Sequence, residues 1–565
     1  MTTLATDRPA ADLAPRDSRG ANSPPVGWWT PGPTPPTADP HAIREAVHDP
    51  GRPLVFVRTP DGPALAEGGT TTLGPEPTAG DALPVAAVVA AVRPEQLGDP
   101  TFRADHRLRY AYVAGAMANG IGSVEIVSAM SRAGMLGFFG AAGLSVQRIE
   151  GAIERLQSLN PPDAAGGLWG VNLIHSPGEP DHEAATVDLL LRRGVRLVEA
   201  SAYLDLTLPV VRYRVAGIGR GPDGRVVAPN HVVAKVSRVE VATKFFSPPP
   251  EKFLRELVAR GDITAEQAEL ASQIPVAQDV TAEADSGGHT DNRPLVALAP
   301  TLLALRDRMQ AQFAPRDSRG ANYPLRVGAA GGISTPASVA AAFALGAAYV
   351  LTGSVNQACV ESGSSGAVRK MLAEAGQADV IMAPAADMFE MGVKVQVLKR
   401  GTLFAMRAAK LYEMYRTHPS LEAIPAAERV RLEKDLFRAP VDSIWSETRS
   451  FWLQRDAKQV ERAERDARHK MALTFRWYLG LSSRWANAGE PTRQADYQVW
   501  CGPAMGAFNE WARGSFLERP ENRRVVPVAR NLLHGAAVVT RINMAAAQGI
   551  ALPADVTRVS PREDV

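Results

Sequence analysis

Cysteine is scarce in this 565-residue chain. The two that occur, Cys359 and Cys501, cannot build a disulfide framework and fit a reducing cytosol, so a cytoplasmic location is expected. A charge excess is also missing. With 62 basic and 60 acidic residues the formal net charge is +2, which gives no electrostatic reason to expect a nucleic-acid partner. No run of about 18 apolar residues occurs, so no membrane span is expected. Met1 to Pro25 lacks the apolar core of a signal peptide. No motif with metal-ligand spacing stands out, and no metal site is expected.

What is present is enough apolar sequence, 45%, for a large core, in a chain long enough for a barrel of ordinary size with flanking modules. Residues 1–25 are rich in Pro, Ala, Asp and Arg and are expected to be disordered. Gly27-Trp28-Trp29 opens a Pro-rich segment with short β-like pieces at 53–58 and 83–88. Residues 26–100 are therefore expected to form a small accessory domain.

From Tyr110 short apolar runs alternate with amphipathic helical patterns, the rhythm of βα units. The runs are Tyr112–Met117, Leu136–Ala141, Trp169–Ile174, Val195–Ser201, His231–Val236, Val280–Ala284, Arg326–Ala330 and Ala348–Thr352. Eight such runs predict an α/β fold, a (β/α)8 TIM barrel over 101–384. Asp181 to Gly194 has an acidic start, an apolar stripe, a basic last turn and a terminal glycine, all marks of a helix. Glu240 to Ile274 is expected to be two helices parted by Pro248-Pro249-Pro250. Residues 385–555 are expected to be helical. Within them, the charged stretch Arg455–Lys470 reads as a solvated face, and Trp477, Trp485, Trp500 and Trp511 as a packed helical subdomain rather than a docking face.

Four places could carry chemistry. Arg326-Val-Gly-Ala-Ala-Gly-Gly-Ile-Ser334 and Ala348-Tyr-Val-Leu-Thr-Gly-Ser354 each end an apolar run in glycine and a small hydroxyl residue. Around a short helix from Thr335 to Gly346, the backbone of Ala330, Gly331, Gly332, Gly353 and Ser354 could cradle a phosphate, in the loops after strands seven and eight where barrels often bind one. Glu283-Ala-Asp-Ser-Gly-Gly-His-Thr290 ends a strand in a turn, Gly287-Gly288, that presents His289, a residue able to give or take a proton near neutrality. Asp285 reads either as its tautomer-setting partner or as a solvent-facing turn residue. Small residues at Ala116, Met117, Ala118 and Asn119 after strand one would let a flat ring lie against the backbone. Asn172 on strand three and Lys235 on strand five read equally well as site residues or as polar packing, and Glu199 on strand four as structural. Cys359 reads as a small buried residue. The nonapeptide at 14–22 recurs at 314–322 and carries no assigned function.

These motifs resemble the PfaD family over about residues 26–555. The match rests on Gly27-Trp-Trp29, Ala114-Gly-Ala-Met-Ala-Asn-Gly-Ile-Gly122, Gly137-Phe-Phe-Gly-Ala-Ala-Gly-Leu144, Glu283 to Asn292, Val327-Gly-Ala-Ala-Gly-Gly-Ile333 and Phe475-Arg-Trp-Tyr-Leu479. PfaD proteins are free-standing flavin enoyl reductases of polyunsaturated fatty acid and polyketide synthases. The barrel is also similar to nitronate monooxygenases and FMN-dependent enoyl-acyl carrier protein reductases.

The resemblance implies that FMN phosphate sits on the glycine loops, that Met117, Ala118 and Asn119 border the flavin ring, and that His289 is the active-site histidine. Lys235 would then offset negative charge on the ring. It implies NADPH or NADH as co-substrate, meeting the flavin directly because no Rossmann fingerprint is present. The implied partner is an acyl carrier protein, for which Arg212, Arg214 and Lys244 are candidate docking residues. A homodimer is compatible with it. A nitronate monooxygenase-like oxidase and a non-catalytic synthase subunit are the alternatives.

Overall fold

In the computed structural model the described residues are 25–77, 79–160, 169–288, 291–313 and 323–565. The expected disorder of 1–25, apart from Pro25, and both copies of the nonapeptide lie outside them. The chain divides into two compact units, Met1–Val92 with Val538–Val559 and Arg93–Ala537 with Ser560–Val565.

The first unit holds an antiparallel five-stranded sheet. Its strands are Gly27–Thr30, Leu54–Thr59, Gly62–Ala66, Thr70–Leu73 and Leu83–Val89. Phe56, Leu65, Ala87 and Val89 on the sheet share a core with Ile43 and Val47 of helix Pro40–His48 and with Val538, Ile550 and Val556. Arg541 is buried there with its guanidinium on main-chain oxygens, 3.1 Å from Val47 O and 2.9 Å from Arg52 O. Hydrogen bonding of this kind is what lets a buried cation persist.

The second unit contains the barrel. Its strands are β1 (Tyr112–Ala114), β2 (Leu136–Phe139), β3 (Gly170–Ile174), β4 (Leu197–Ser201), β5 (His231–Val236), β6 (Asp279–Glu283), β7 (Arg326–Ala330) and β8 (Val350–Thr352). All eight pair in parallel with their sequence neighbours, and β8 closes on β1 through Val350↔Tyr112. Near-continuous apolar runs are what such strands require, because helices cover one face and barrel side chains fill the other. Phe138, Val113, Leu136, Leu197, Val233, Tyr349 and Leu351 build part of that filling.

At the amino-terminal ends of the strands the filling is ionic. Asp279 Oδ1 accepts from Arg326 Nε at 2.6 Å, and Asp279 Oδ2 lies 2.8 Å from His106 Nε2, all three residues being buried. Burial alone would raise the Asp279 pKa, but Arg326 and His106 more than offset it and hold the carboxyl well below its ordinary range.

Three expectations need correction. Val239–Phe246, Glu251–Ala259 and Ala265–Ala271 are three helices rather than two, since Gly261 and Asp262 add a second break after the prolines. Residues just before and after 385 form an antiparallel hairpin, Val380–Pro384 with Lys394–Leu398, ahead of the helices. Arg214 is unsuited to docking, because it is buried with Nε 3.2 Å from Pro275 O. Arg212 is ion-paired to Asp188 and Asp262, and Lys244 to Asp205.

Beyond the hairpin, helices Phe404–Thr417, Val441–Arg455 and Ala467–Ala488 pack round Phe389, Phe437 and Phe475. Asp466 caps the longest of them, accepting from Arg468 N–H at 3.0 Å, and Gly489 in a left-handed conformation ends it. Trp477, Trp485 and Trp500 pack against this cluster, whereas Trp511 sits apart on Phe508. Cys359 is buried, as a small core residue would be. Among the described residues no helix is long and apolar enough to cross a membrane, and no group of three metal-ligating side chains converges.

Candidate active site

A cavity of about 550 Å³ opens at the carboxyl ends of the barrel strands, and residues 385–504 line its other side. That is a size ordinary ligand sites share. All thirteen non-histidine site residues expected from sequence line it: Ala116, Met117, Ala118, Asn119, Asn172, Lys235, Gly287, Gly288, Ala330, Gly331, Gly332, Gly353 and Ser354. His289 and Thr290 lie outside the described residues.

The two glycine loops follow adjacent strands, since Ala330 of β7 pairs with Leu351 of β8. Gly331 has φ +86°, and a Cβ there would stand 2.6 Å from the Ala284 carbonyl carbon, so a side chain is excluded where β6 and β7 end. Gly332 (φ +74°) and Gly353 differ: a Cβ on either would meet nothing within 4 Å. Both backbones are open to an occupant. Helix Pro336–Ala344, capped by Thr335, starts just beyond the first loop, and Ser354 begins a short turn after the second. Open glycine backbone beside helix starts suits a phosphate group.

Asn119 takes a left-handed conformation, φ +58°, and its Nδ2 donates to Ser483 Oγ at 2.7 Å. This ties the loop after β1 to helix Ala467–Ala488. Ala202, at the end of β4, is likewise left-handed and lines the cavity. Unusual backbone of this sort concentrates at functional sites.

The charged floor combines β4, β5 and β6. Lys235 Nζ lies 3.0 Å from Glu283 Oε1 and 3.9 Å from Glu199 Oε2. Burial opposes the lysine's charge, but Glu283 and then Glu199 outweigh it and hold the pKa above its ordinary value. Glu199 is fully buried. Its Oε2 accepts from Ala116 N–H at 3.0 Å, while Oε1 has no partner among the described residues. Burial therefore wins over Lys235 and pushes the Glu199 pKa up to about 7. Glu199 thus braces the loop after β1. Asn172 Nδ2 is committed to Glu199 O at 3.0 Å and Ser201 Oγ at 2.8 Å, so its amide joins β3 to β4 while it lines the cavity.

Asp285 is not a solvent-facing turn residue. Its Oδ1 accepts from Asn292 Nδ2 at 2.7 Å and from Gln396 Nε2 of the hairpin at 2.8 Å. Gly287 rests against the Trp500–Cys501 backbone, and Gly502 N–H donates to Ser354 Oγ at 3.2 Å. The segment 500–502 thus buttresses both the Gly-Gly turn and the loop after β8.

Sequence reasoning passed over Glu283 and the whole contribution of the helices: Phe451, Trp452, Arg455, Arg476, Trp477 and Arg484 line the cavity. Glu283 carried a usable signal, being the last residue of its strand. The helical residues carried little, because their nearness to the barrel is a matter of tertiary packing.

Comparison with known proteins adds the following. Residues 418–497 match the family model of the [acyl-carrier-protein] S-malonyltransferase inserted helical domain. A polyunsaturated fatty acid synthase polypeptide of Thraustochytrium sp. is 47% identical over 456 residues, 79% of this chain and 30% of that protein. Polyketide biosynthesis protein PksE of Bacillus subtilis is 44% identical over 457 residues, 81% of this chain and 58% of that protein. The chain thus spans less than two thirds of the length of these curated relatives. The crystal structure of the enoyl reductase domain of MlnA, from the macrolactin biosynthesis cluster of Bacillus amyloliquefaciens, superposes with a TM-score of 0.74 at 38% identity, covering 80% of this chain and 99% of that one.

Proposed function

The chain belongs to the PfaD family, and on that footing we propose that it is a trans-acting enoyl reductase of polyunsaturated fatty acid or polyketide synthesis. The substrate is a 2-enoyl thioester on an acyl carrier protein. The reaction adds a hydride, derived from NADPH, to the β-carbon and a proton to the α-carbon, leaving NADP⁺ and the saturated thioester.

The observation that carries this reading is the pair of open glycines, Gly332 and Gly353, on adjacent turns of one cavity that also holds a charged lysine. A backbone with space in place of Cβ and amides beside helix starts fits the phosphate of FMN. Gly332, Gly353 and Ser354 would hold that phosphate, and Met117, Ala118, Asn119, Asn172 and Lys235 would border the ring. When bound, FMN would supply the two-electron chemistry that links nicotinamide to the enoyl chain.

The residues of the chain do the rest. Lys235, kept cationic by Glu283 and Glu199, provides a fixed positive charge on the cavity floor. Glu199 holds the loop after β1 by its bond to Ala116 N–H. The walls contributed by Trp452, Trp477 and Leu473 limit water around the reacting carbons. His289 is assigned to stabilising charge on the thioester oxygen or to protonating the α-carbon, with water as the other proton source. The match of 418–497 to a family named for carrier-protein chemistry supports a carrier-bound substrate.

The test is product analysis. Purified protein with NADPH and a carrier-bound 2-enoyl thioester is expected to yield the saturated thioester, identified by mass spectrometry, and His289→Ala to slow its formation about 100-fold or more. Recovery of unchanged enoyl thioester from yellow, folded protein would overturn the assignment. An undiminished rate in His289→Ala would remove the histidine from the mechanism.

A further inference from the structure

Helix Ala467–Ala488 carries Arg476, Gly480 and Arg484 at four-residue spacing, one above another on a single face, and all three line the cavity. A Cβ at Gly480 would meet nothing within 4 Å, so the helix backbone between the two arginines is open to an occupant.

Among the described residues neither Arg476 nor Arg484 makes a hydrogen bond or an ion pair. Their contacts are with aromatic faces, Arg476 Cζ lying 5.3 Å from the Trp452 ring and Arg484 Cζ 5.9 Å from that of Phe451. Elsewhere in the same helical layer, cations are matched. Arg407, Arg438 and Arg493 converge on the buried Asp496, and Arg455 forks onto Glu179. Burial depresses the Arg484 pKa, and the nearby charges of Arg455 and Arg148 depress it further. Burial depresses Arg476 too, and the more distant carboxylates of Glu179, Asp387 and Glu390 offset that only in part. Arg476 is half-buried and Arg484 exposed, and two like charges lining one cavity with no counter-ion in contact are an arrangement an anion would relieve.

We propose that Arg476 and Arg484 form a second anion subsite, across Gly480, that binds a phosphate ester of a reactant. This rests on the enoyl reductase reading and deepens it. The planar forks of two arginines match phosphate oxygens better than a point charge would. The subsite stands on the helical wall, while the open glycines of the loops after β7 and β8 stand on the barrel wall. The cavity therefore offers separate anchors for a resident group and for a visiting one. Both reactants carry a suitable group: the pantetheine arm of the carrier ends in a phosphodiester, and NADPH has a 2′-phosphate.

The experiment is calorimetric binding to the purified holoprotein with two pairs of probes. One pair is 4′-phosphopantetheine against pantetheine, and the other adenosine 2′,5′-bisphosphate against adenosine 5′-monophosphate. In at least one pair the more phosphorylated member is expected to bind about tenfold or more tightly, and less so at high salt. Discrimination in the first pair identifies the carrier arm, and in the second the nicotinamide. Arg476→Gln/Arg484→Gln is expected to bring the members of that pair within about twofold of each other. Should the double variant fold poorly, Arg484→Gln alone, at an exposed position, and Gly480→Leu, which fills the gap, are each expected to reduce the difference.

Equal binding within both pairs in the wild type, or discrimination that survives in the folded variants, would overturn the subsite. Protein that discriminates phosphate yet leaves enoyl thioesters unreduced would overturn the reaction instead and leave the subsite standing.

Discussion

The ammonium of Lys235 lies 3.0 Å from the carboxylate of Glu283, bridging the ends of β5 and β6 where the cavity floor is charged. Glu199 Oε2 lies 3.9 Å from the same ammonium, whose charge offsets the repulsion between the two carboxylates. Lys235→Met is expected to cost on the order of 3 kcal/mol, because it leaves two desolvated carboxylates without a cation. Without the lysine the already raised pKa of Glu199 should rise further, so folded protein binds more protons than unfolded and the variant should lose stability as pH increases from 5 to 8. Urea unfolding of wild type and variant across that range checks both size and sign.

Glu199 permits a narrower prediction. Its folded pKa of about 7 is raised, so the charged form is disfavoured in the native state. The cost of ionising it is absent near pH 4.5 and fully present above pH 7. Glu199→Gln keeps an acceptor for Ala116 N–H and removes that cost, on the order of 3 kcal/mol. The variant is expected to match wild type at low pH and exceed it at pH 8 in the same unfolding measurement.

Gly353 tests the cradle. Its φ of −126° is not left-handed, and among the described residues a Cβ there would meet nothing within 4 Å. Gly353→Val should fold with a melting temperature close to that of the wild-type apoprotein, yet retain flavin about tenfold less tightly. The ratio of absorbance near 450 nm to protein absorbance after gel filtration reads the loss.

The buried polar cluster at the other end of the barrel predicts acid sensitivity. Burial, helped by Arg214 and His106, pushes His231 down to about 3. Unfolded protein takes up that proton as pH drops below about 6.5, whereas folded protein does not, so stability is lost between about 6.5 and about 3. Asp279, held low mainly by Arg326, extends the loss further into acid. His231→Gln is expected to flatten the first part of the melting-temperature curve and leave the second.

Much of the barrel was legible because its strands are short apolar runs ended by glycine and polar turns, and parallel strands covered on both sides need such runs. The loops after β7 and β8 were legible for the same reason: Gly331 is demanded by the close Ala284 backbone, and Gly332 and Gly353 stay open. The hairpin Val380–Pro384 with Lys394–Leu398 was not, since Val-Ile-Met-Ala-Pro lacks clear alternation and its turn is long. The third helix of 239–271 was hidden by the three prolines, which drew the break to themselves. Arg476 and Arg484 could be read as one helix face, but nothing local says that this face meets a cavity built some 200 residues earlier. Glu283 was legible as the last residue of its strand, four residues before the Gly287-Gly288 turn.

The central claim is that electrons pass from NADPH to an enoyl thioester through a flavin held in this cavity. The direct measurement is an anaerobic visible spectrum of the purified protein. Bleaching of the 450 nm band by stoichiometric NADPH and its return on adding a 2-enoyl thioester are what the account predicts. Protein that carries no flavin, or whose reduced band returns with oxygen but never with the thioester, would contradict it.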